Sequence, residues 1–283
     1  MCNNFSFKPS VHKGCGSMDK TIEAPLYEKF EFSTKINKYC ICVFVINEGQ
    51  KLLKQLDRMA HYADQIDIVV ADGGSTDGST DHENLLARGV NTLLVKKDAG
   101  KLGTQMRMAF AWALKRNYAG VITIDGNGKD GVEAIPNFIV QLDAGFDHVQ
   151  GSRFIPGGHQ ENTPKSRLIG LKFLHAPLIS LAAGFKYTDT TNGFRAYSSQ
   201  LLRNEDIAIF RDVFKGYELH YYLAIQAAKK GVKITEIPVS RRYPSKGPLP
   251  SKISPIKGNA EVLLRLFLSV LGYYSLPKKD RIG

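Results

Sequence analysis

Between Tyr39 and Ser152 the chain alternates apolar runs of strand character with segments at helical spacing, and this alternation constrains the fold more than any other feature. The strand-like runs are Tyr39–Ile46 (YCICVFVI), Ile66–Ala71 (IDIVVA), NTLLVK, GVITI and DHVQGS. Between them lie QKLLKQLDRMAHYA, with Leu52, Leu53, Leu56, Met59 and Ala60 on one side, a short helix near Thr80–Arg88, LGTQMRMAFAWALKR and VEAIPNFIVQLDAG. Such a pattern predicts an α/β domain whose mostly parallel sheet is flanked by helices on both faces. Ligands of such sheets collect beyond the carboxyl ends of the strands. Three polar clusters fall there: NEG after the first run, DGGSTDGS after the second and DGNGKD after the fourth.

Each cluster has a chemistry of its own. Asp72 stands just past a buried strand, where a carboxylate can accept hydrogen bonds from a nucleobase or ribose. Gly73 and Gly74 let a ligand approach the backbone, and Ser75, Thr76 and Asp77 can cap the next helix. Asp125 is the best candidate metal ligand, because magnesium and manganese take oxygen donors and bridge carboxylates to substrate phosphates. Asn127 offers an uncharged carbonyl oxygen and Lys129 a positive charge near a diphosphate. Asp130 is either a further ligand or a helix N-cap.

The formal net charge of +11 and pI near 9.4 favour phosphate-bearing partners. Nucleic acid is excluded as that partner, since there is no zinc finger, recognition helix or interleaving of aromatic with basic residues. Cys40 and Cys42 alternate in an apolar run and read as a buried, reduced pair. With Cys2 and Cys15 they give no zinc spacing, and reduced thiols fit the cytosol. Residues 1–37 are polar and aperiodic and read as a flexible extension without a signal-peptide core. No run of about 20 apolar residues suggests a spanning helix.

The later chain is looser. Leu168–Phe185 is apolar but interrupted by Lys172, His175 and Pro177, and it is a candidate for membrane contact or for core packing. The segment 256–283 contains AEVLLRLFLSVLGYYSL, a C-terminal amphipathic helix whose narrow polar stripe is Glu261, Arg265, Ser269 and Gly272. It is expected to lie in a bilayer interface, to pack on the catalytic domain, or to form a homodimer contact. Arg241, Arg242, Lys246, Lys252 and Lys257 precede it without an acid, as a segment drawn to an anionic membrane surface would.

The ordered set FVINEG, VVADGGSTDGS, KKDAGKLGTQMRMAFAWA, ITIDGNGKDGVEAIP, QGSRF, PKSRLIG, DTTNGFRAYS and KGYELHYYLAIQAAKKGVKITEIPV resembles the family-2 glycosyltransferases. Within them it is most similar to the polyprenyl-phosphate synthases of the dolichol-phosphate mannose synthase type. The resemblance covers roughly 39–254 and implies a GT-A fold for 38–255. It also implies inverting transfer of a hexose from a GDP- or UDP-sugar to polyprenyl phosphate. By that resemblance Asn47, Glu48 and Asp72 hold the nucleoside, Lys101 joins the donor site, and Asp125 with Asn127 holds Mg2+ or Mn2+ on the diphosphate. One rim of the sheet is then expected to gather Asp72 and Asp125 around the pyrophosphate. The second acid of the family's DDGS pattern is Gly73 here, and its acid-x-acid loop is Asp125-Gly126-Asn127, which leaves Lys129 to share the neutralising task.

A lipid phosphate is already ionised at neutral pH, so it needs orientation and charge balance rather than a base. Arg153, Arg167, Arg195 and Lys252 fall at the positions that the resemblance assigns to this task, and arginine's fork suits phosphate. Glu218 and Asp189 stand near the predicted acceptor side, as a base or as salt-bridge partners. These readings together describe a cytoplasmic enzyme peripheral to the inner face of a membrane. Two rivals stay open. One is a transferase acting on a saccharide hydroxyl in surface-polysaccharide assembly. The other is a non-catalytic nucleotide-sugar-binding module.

Overall fold

The computed structural model describes residues 10–12 as backbone, and residues 24–245 and 257–277 in full. The strands are β1 (Ser10–His12), β2 (Tyr27–Glu31), β3 (Tyr39–Val45), β4 (Asp67–Asp72), β5 (Val90–Lys96), β6 (Gly120–Asp125), β7 (His148–Ser152), β8 (His159–Glu161), β9 (Arg195–Ser198), β10 (Ile234–Pro238) and β11 (Ser240–Arg242). The helices are α1 (Gln50–Met59), α2 (His82–Leu86), α3 (Leu102–Lys115), α4 (Ile135–Asp143), α5 (Lys165–Gly170), α6 (Ala176–Ala183), α7 (Ser199–Leu202), α8 (Glu218–Lys229) and α9 (Lys257–Val270).

One sheet of order β1-β2-β5-β4-β3-β6-β9-β7-β10 forms the middle layer, with β8 and β11 paired beside it. The stretch β5-β4-β3-β6 is parallel, as the alternating sequence predicts. Every residue of β3 is buried, and its pleat divides the core. Cys40, Cys42 and Phe44 face α3 and α8. Ile41, Val43 and Val45 face the other way, toward α1 and α4. The two thiols are free and share one face, and burial holds Cys40 well above the ordinary cysteine range.

Three features depart from the sequence reading. Tyr27–Glu31 falls inside the segment read as a flexible extension, yet it pairs antiparallel with β5 over Tyr27↔Lys96 to Glu31↔Thr92. Its half-polar alternation suits a strand with one covered face, second from the edge between β1 and β5. The strand β9 inserts antiparallel between β6 and β7, so β7 is not the direct neighbour of β6. The strand-like VKITEIPVS splits at Val239 into β10 and β11, and β11 leaves the main sheet to pair with β8.

The apolar segment from Leu168 to Phe185 becomes α5, a five-residue π turn (Leu171–His175) and α6. Ile179 and Ala183 pack with Tyr221 and Ile225 of α8 and Leu266 of α9. Of the three fates open to the C-terminal helix, packing on the catalytic domain is therefore realised by one face, through Leu266 and Ser269. Leu264, Phe267 and Leu271 remain exposed on another, at the i, i+3, i+7 spacing of one helical stripe. Among the described residues no helix is long and apolar enough to cross a membrane.

The amino end of α3 meets the loop before α8 without space to spare. A Cβ on Gly103 would stand 2.7 Å from the Gly216 carbonyl oxygen and 2.9 Å from that of Phe214. Gly103→Ala is expected to destabilise by about 1–3 kcal/mol through this backbone clash. Gly170→Ala, at φ −57° with open space around the new methyl, is expected to be neutral or slightly stabilising. Thermal unfolding of both variants checks this, and an unchanged Tm for Gly103→Ala would show that the loop yields.

Candidate functional site at the carboxyl edge of the sheet

The registers Val45↔Asp72 and Phe44↔Asp125 bring both acids to the carboxyl edge of β3, one on each side of it. The pleat then separates them. Asp72 leaves its strand on the face of Ile68 and Val70, while Asp125 leaves on the face of Val121. The Asp72 carboxylate is 2% exposed, and it accepts from Ser75 N at 2.9 Å, Ser75 Oγ at 2.7 Å, Gly74 N at 3.1 Å and Thr80 Oγ1 at 3.3 Å. It shapes its own turn. The expectation that Asp72 and Asp125 jointly embrace a pyrophosphate is thereby corrected: they share an edge but not a face.

The Asp72 turn is joined to the turn after β3. Thr76 N donates to Asn47 Oδ1 at 2.7 Å, Asn47 N to Ser75 Oγ at 2.9 Å, and Gly49 N to Asp77 Oδ2 at 2.8 Å. Asn47 takes a left-handed φ of 48° to make these contacts, and Glu48 stands 3.9 Å from Lys51. Gly73, where the family's pattern has an acid, sits in a tight space. Gln105 of α3 donates to the strand-end carbonyls of Val45 (2.9 Å) and Ala71 (3.0 Å), and a Cβ on Gly73 would lie 3.1 Å from its Nε2.

The loop after β6 is held from beneath by Gln55 of α1. Its Nε2 donates to Asp125 O at 3.0 Å and its Oε1 accepts from Gly128 N at 2.8 Å. A Cβ at Gly126 would collide with Val45 Cγ1, so this position admits no side chain without a shift. From the far side β11 closes on the same loop, with Arg242 N donating to Lys129 O and Gly131 N to Ser240 O. That pairing delivers Arg241. Its Nη1 lies 2.7 and 2.5 Å from the two oxygens of Asp130, which is fully buried, and its Nη2 lies 3.2 Å from Asp125 Oδ2. Burial pushes the Asp130 carboxyl up and Arg241 opposes this; at such distances the pair is ionic. Arg241 works against its own burial and is held charged by Asp130 and Asp125.

Three cations converge on Tyr243. The Lys129 Nζ is 5.0 Å from its ring centroid, Arg241 Cζ 5.8 Å and Arg167 Cζ 6.0 Å, with Arg167 Nη1 also 3.4 Å from its hydroxyl. Burial raises the Tyr243 phenol, but Arg241 and Lys129 more than offset it and leave its pKa below the ordinary value. Lys129 is pulled below the usual lysine range, first by burial and then by Arg241.

Other candidates lie elsewhere. Arg153 is buried and bidentate on Asp189, at 2.6 and 2.9 Å, with a third bond to Thr191 Oγ1. Asp189 is fully buried, so these two residues brace the start of the Thr190–Phe194 loop. Arg195, expected to grip an acceptor phosphate, is 1% exposed and donates to the backbone carbonyls of Asn192 (2.9 Å), His220 (3.0 Å) and Thr190 (2.7 Å). Its guanidinium organises the core, and that expectation is corrected. Glu218 is likewise sealed: it accepts from Lys215 N and Gly216 N and pairs with Arg265 Nη1 at 2.5 Å. Lys101 pairs with Glu261 of α9 at 2.5 Å, which ties the loop before α3 to the C-terminal helix. Lys252 and Lys246 lie outside the described residues.

The donor set fits a protein-held divalent cation poorly. Asp125 is one carboxylate, and its Oδ2 already faces Arg241 and Asn127 Nδ2. The Asn127 carbonyl accepts from Lys129 N at 3.3 Å, and Asp130 is spent on Arg241. Among the described residues no group of three or more His, Cys, Asp or Glu side chains is placed to hold a metal ion.

No protein-family model matches the chain. It is 30% identical over 198 residues, 69% of its length, to the polyprenol monophosphomannose synthase of Mycolicibacterium smegmatis, and spans 73% of that protein. It is 31% identical over 197 residues to the undecaprenyl-phosphate mannosyltransferase of Micrococcus luteus, covering 79% of it. Among solved structures it superposes on glucosyl-3-phosphoglycerate synthase from Mycobacterium tuberculosis, bound to Mn2+, UDP and phosphoglyceric acid, with a TM-score of 0.61. That match has 16% identity and covers 85% of this chain and 79% of the other.

Because Arg195 satisfies three backbone carbonyls, Arg195→Ala is expected to cost roughly 3 kcal/mol or more of stability. Folded yield and Tm should fall, while the surviving folded fraction keeps its acceptor KM. His148 lies in the same buried cluster, and its pKa is pulled down to about 3, first by burial and then by Arg195. The folded imidazole is neutral whereas the unfolded one takes a proton near 6.5. Stability should therefore fall as pH drops below about 6.5, by up to about tenfold in the folding equilibrium per pH unit for this one group. Denaturant unfolding between pH 7 and 5 checks this; His148→Phe should flatten the slope.

Proposed function

We propose that this chain, which belongs to the polyprenyl-phosphate glycosyltransferases of family 2, moves a hexose from a nucleoside-diphosphate sugar to a polyprenyl phosphate. The supporting observation is the convergence of Lys129, Arg167 and Arg241 on Tyr243, beside Asp125 at the sheet edge. Two anionic substrates, a diphosphate and a lipid phosphate, must be held within bonding distance of one sugar, and fixed cations offset their repulsion. A phosphate oxygen attacks the anomeric carbon. The bond from that carbon to the nucleoside diphosphate breaks, the diphosphate departs with the electron pair, and the configuration inverts.

The phosphate nucleophile carries no proton to remove. This agrees with the state of Glu218 and Asp189, the two acids that would serve as base for a hydroxyl acceptor. Both are fully buried and paired, with Arg265 and Arg153. Their burial disfavours the saccharide-hydroxyl reading. In the proposed complex the joined turns at Asn47–Gly49 and Asp72–Asp77 line the nucleoside, Arg167 and Tyr243 face the acceptor phosphate, and Lys129 faces the diphosphate. The protein oxygens on offer to a Mg2+ or Mn2+ ion are the single Asp125 carboxylate and the Asn127 carbonyl, both already engaged, so the charge of the leaving diphosphate is assigned to Lys129 and Arg241 rather than to a protein-held metal.

The lipid acceptor requires approach to a bilayer. Ile169 and Phe173 are exposed on the α5–α6 segment, as is Leu181, and Leu264 and Phe267 on α9 with Leu271 just past its end are exposed too; α6 and α9 pack against the same helix, α8. These apolar strips are the proposed seat on an anionic, inner-leaflet surface. A second copy of the chain is the competing occupant.

Incubation with GDP- and UDP-hexoses and a short-chain polyprenyl phosphate should give a glycolipid. Arg167→Ala, which removes a cation beside Tyr243 on the proposed acceptor side, should lower turnover by about 100-fold or more. Donor binding without glycolipid across an acceptor panel would instead favour the non-catalytic module. Phe173→Ser with Leu271→Ser should reduce co-flotation with anionic liposomes at unchanged Tm. Unchanged flotation, with loss of a dimer in light scattering, would reassign the strips to a subunit contact.

A further inference from the structure

We infer that fixed side-chain cations, Lys129 and Arg241, take the place of a protein-held divalent ion in binding the donor's diphosphate, so that nucleotide binding by this chain does not require metal. The inference rests on the proposed donor class and deepens it.

The argument starts from the charge balance around Asp125. Two carboxylates, Asp125 and Asp130, face two cations: Arg241, within 3.2 Å of both, and Lys129, whose backbone lies in the same loop. Arg167 adds a third cation across Tyr243. A site that captures Mg2+ or Mn2+ presents surplus negative charge and several oxygen donors. Here the two acids are already balanced, and a divalent ion seated on Asp125 would stand beside a guanidinium of like sign. A diphosphate meets the opposite situation, because its oxygens enter a region where positive charge equals or exceeds negative.

The geometry is also prearranged. The loop is fixed below by Gln55 and laterally by β11, which donates through Arg242 N to Lys129 O at 2.8 Å. The Lys129 ammonium is confined over the Tyr243 ring, and the residue is 7% exposed. A lysine so confined loses little further freedom when a phosphate arrives. Asn127 fits the same account. An amide between Asp125 and Lys129, donating to the first and accepting from the second, adds no negative charge to compete for the ammonium. Asn127 and Lys129 thus act in one sense: the loop carries one carboxylate fewer than an acid-x-acid loop and holds a cation two residues on.

Calorimetry with UDP and GDP as probes, in EDTA and in Mn2+, tests the inference independently of turnover. For at least one nucleotide the wild-type dissociation constants in the two buffers should agree within about threefold. Lys129→Gln should weaken binding in EDTA by about tenfold or more, with circular dichroism and Tm confirming the fold. Asn127→Asp with Lys129→Gln should restore metal dependence, binding at least about tenfold more tightly in Mn2+ than in EDTA. Wild-type binding seen only in Mn2+, or Lys129→Gln binding unchanged in EDTA, would overturn the inference and leave the proposed transferase standing. Failure of both nucleotides to bind in either buffer would overturn the donor assignment and this inference together.

Discussion

The ion pair between Arg241 and Asp130 holds the candidate site together. Asp130 is fully buried at the end of the loop that follows β6, and an unpaired carboxylate there would carry a large desolvation cost. Arg241 meets that cost and draws β11 onto the loop, so the short β8–β11 sheet and the main sheet become one wall. The same guanidinium reaches Asp125, and Tyr243, two residues on, receives Lys129 and Arg167 on its ring. A buried ion pair is a weak source of net stability. Its contribution here is placement: it selects one arrangement of a glycine-rich loop.

Two glutamines do the corresponding work with neutral hydrogen bonds. Gln105 ties the ends of β3 and β4, and Gln55 ties the Asp125 loop to α1. Both are buried and each engages two backbone groups, so backbone that has left the sheet ladder remains satisfied. The carboxyl edge of the sheet can then be polar, open to a substrate and still ordered.

Much of the fold was legible in the sequence because period and burial agree there. The strands β3 to β6 carry continuous β-branched and apolar runs, and α3 carries a long apolar surface, so each element is marked locally. The position of Asp125 at the carboxyl edge of the sheet was legible for the same reason, since it ends a buried strand before a glycine-rich turn. Arg241 was visible only as one member of a basic run, and its value comes from a partner 111 residues away. Gln55 and Gln105 gave no signal at all, because a glutamine on an amphipathic helix reads as surface until the neighbouring carbonyls are known. Arg195 misled in the opposite direction: its motif resembles a phosphate grip, and its three bonds go to the backbone.

The amino-acid sequence by itself determined the strand–helix alternation, the edge at which ligands gather, the kinship of the chain and the replacement of an acidic loop position by Asn127 with Lys129 nearby. These follow from periodicity and residue chemistry, which act over a few neighbours. Only the tertiary structure decided which charges meet: Asp72 turned into its own loop, Glu218 and Asp189 closed by arginines, and Asp125 set beside Arg241 rather than beside a second carboxylate. Ionic and hydrogen-bond pairing acts through distances of about 3 Å, and such distances between residues 36, 47 or 116 positions apart exist only once the chain has folded.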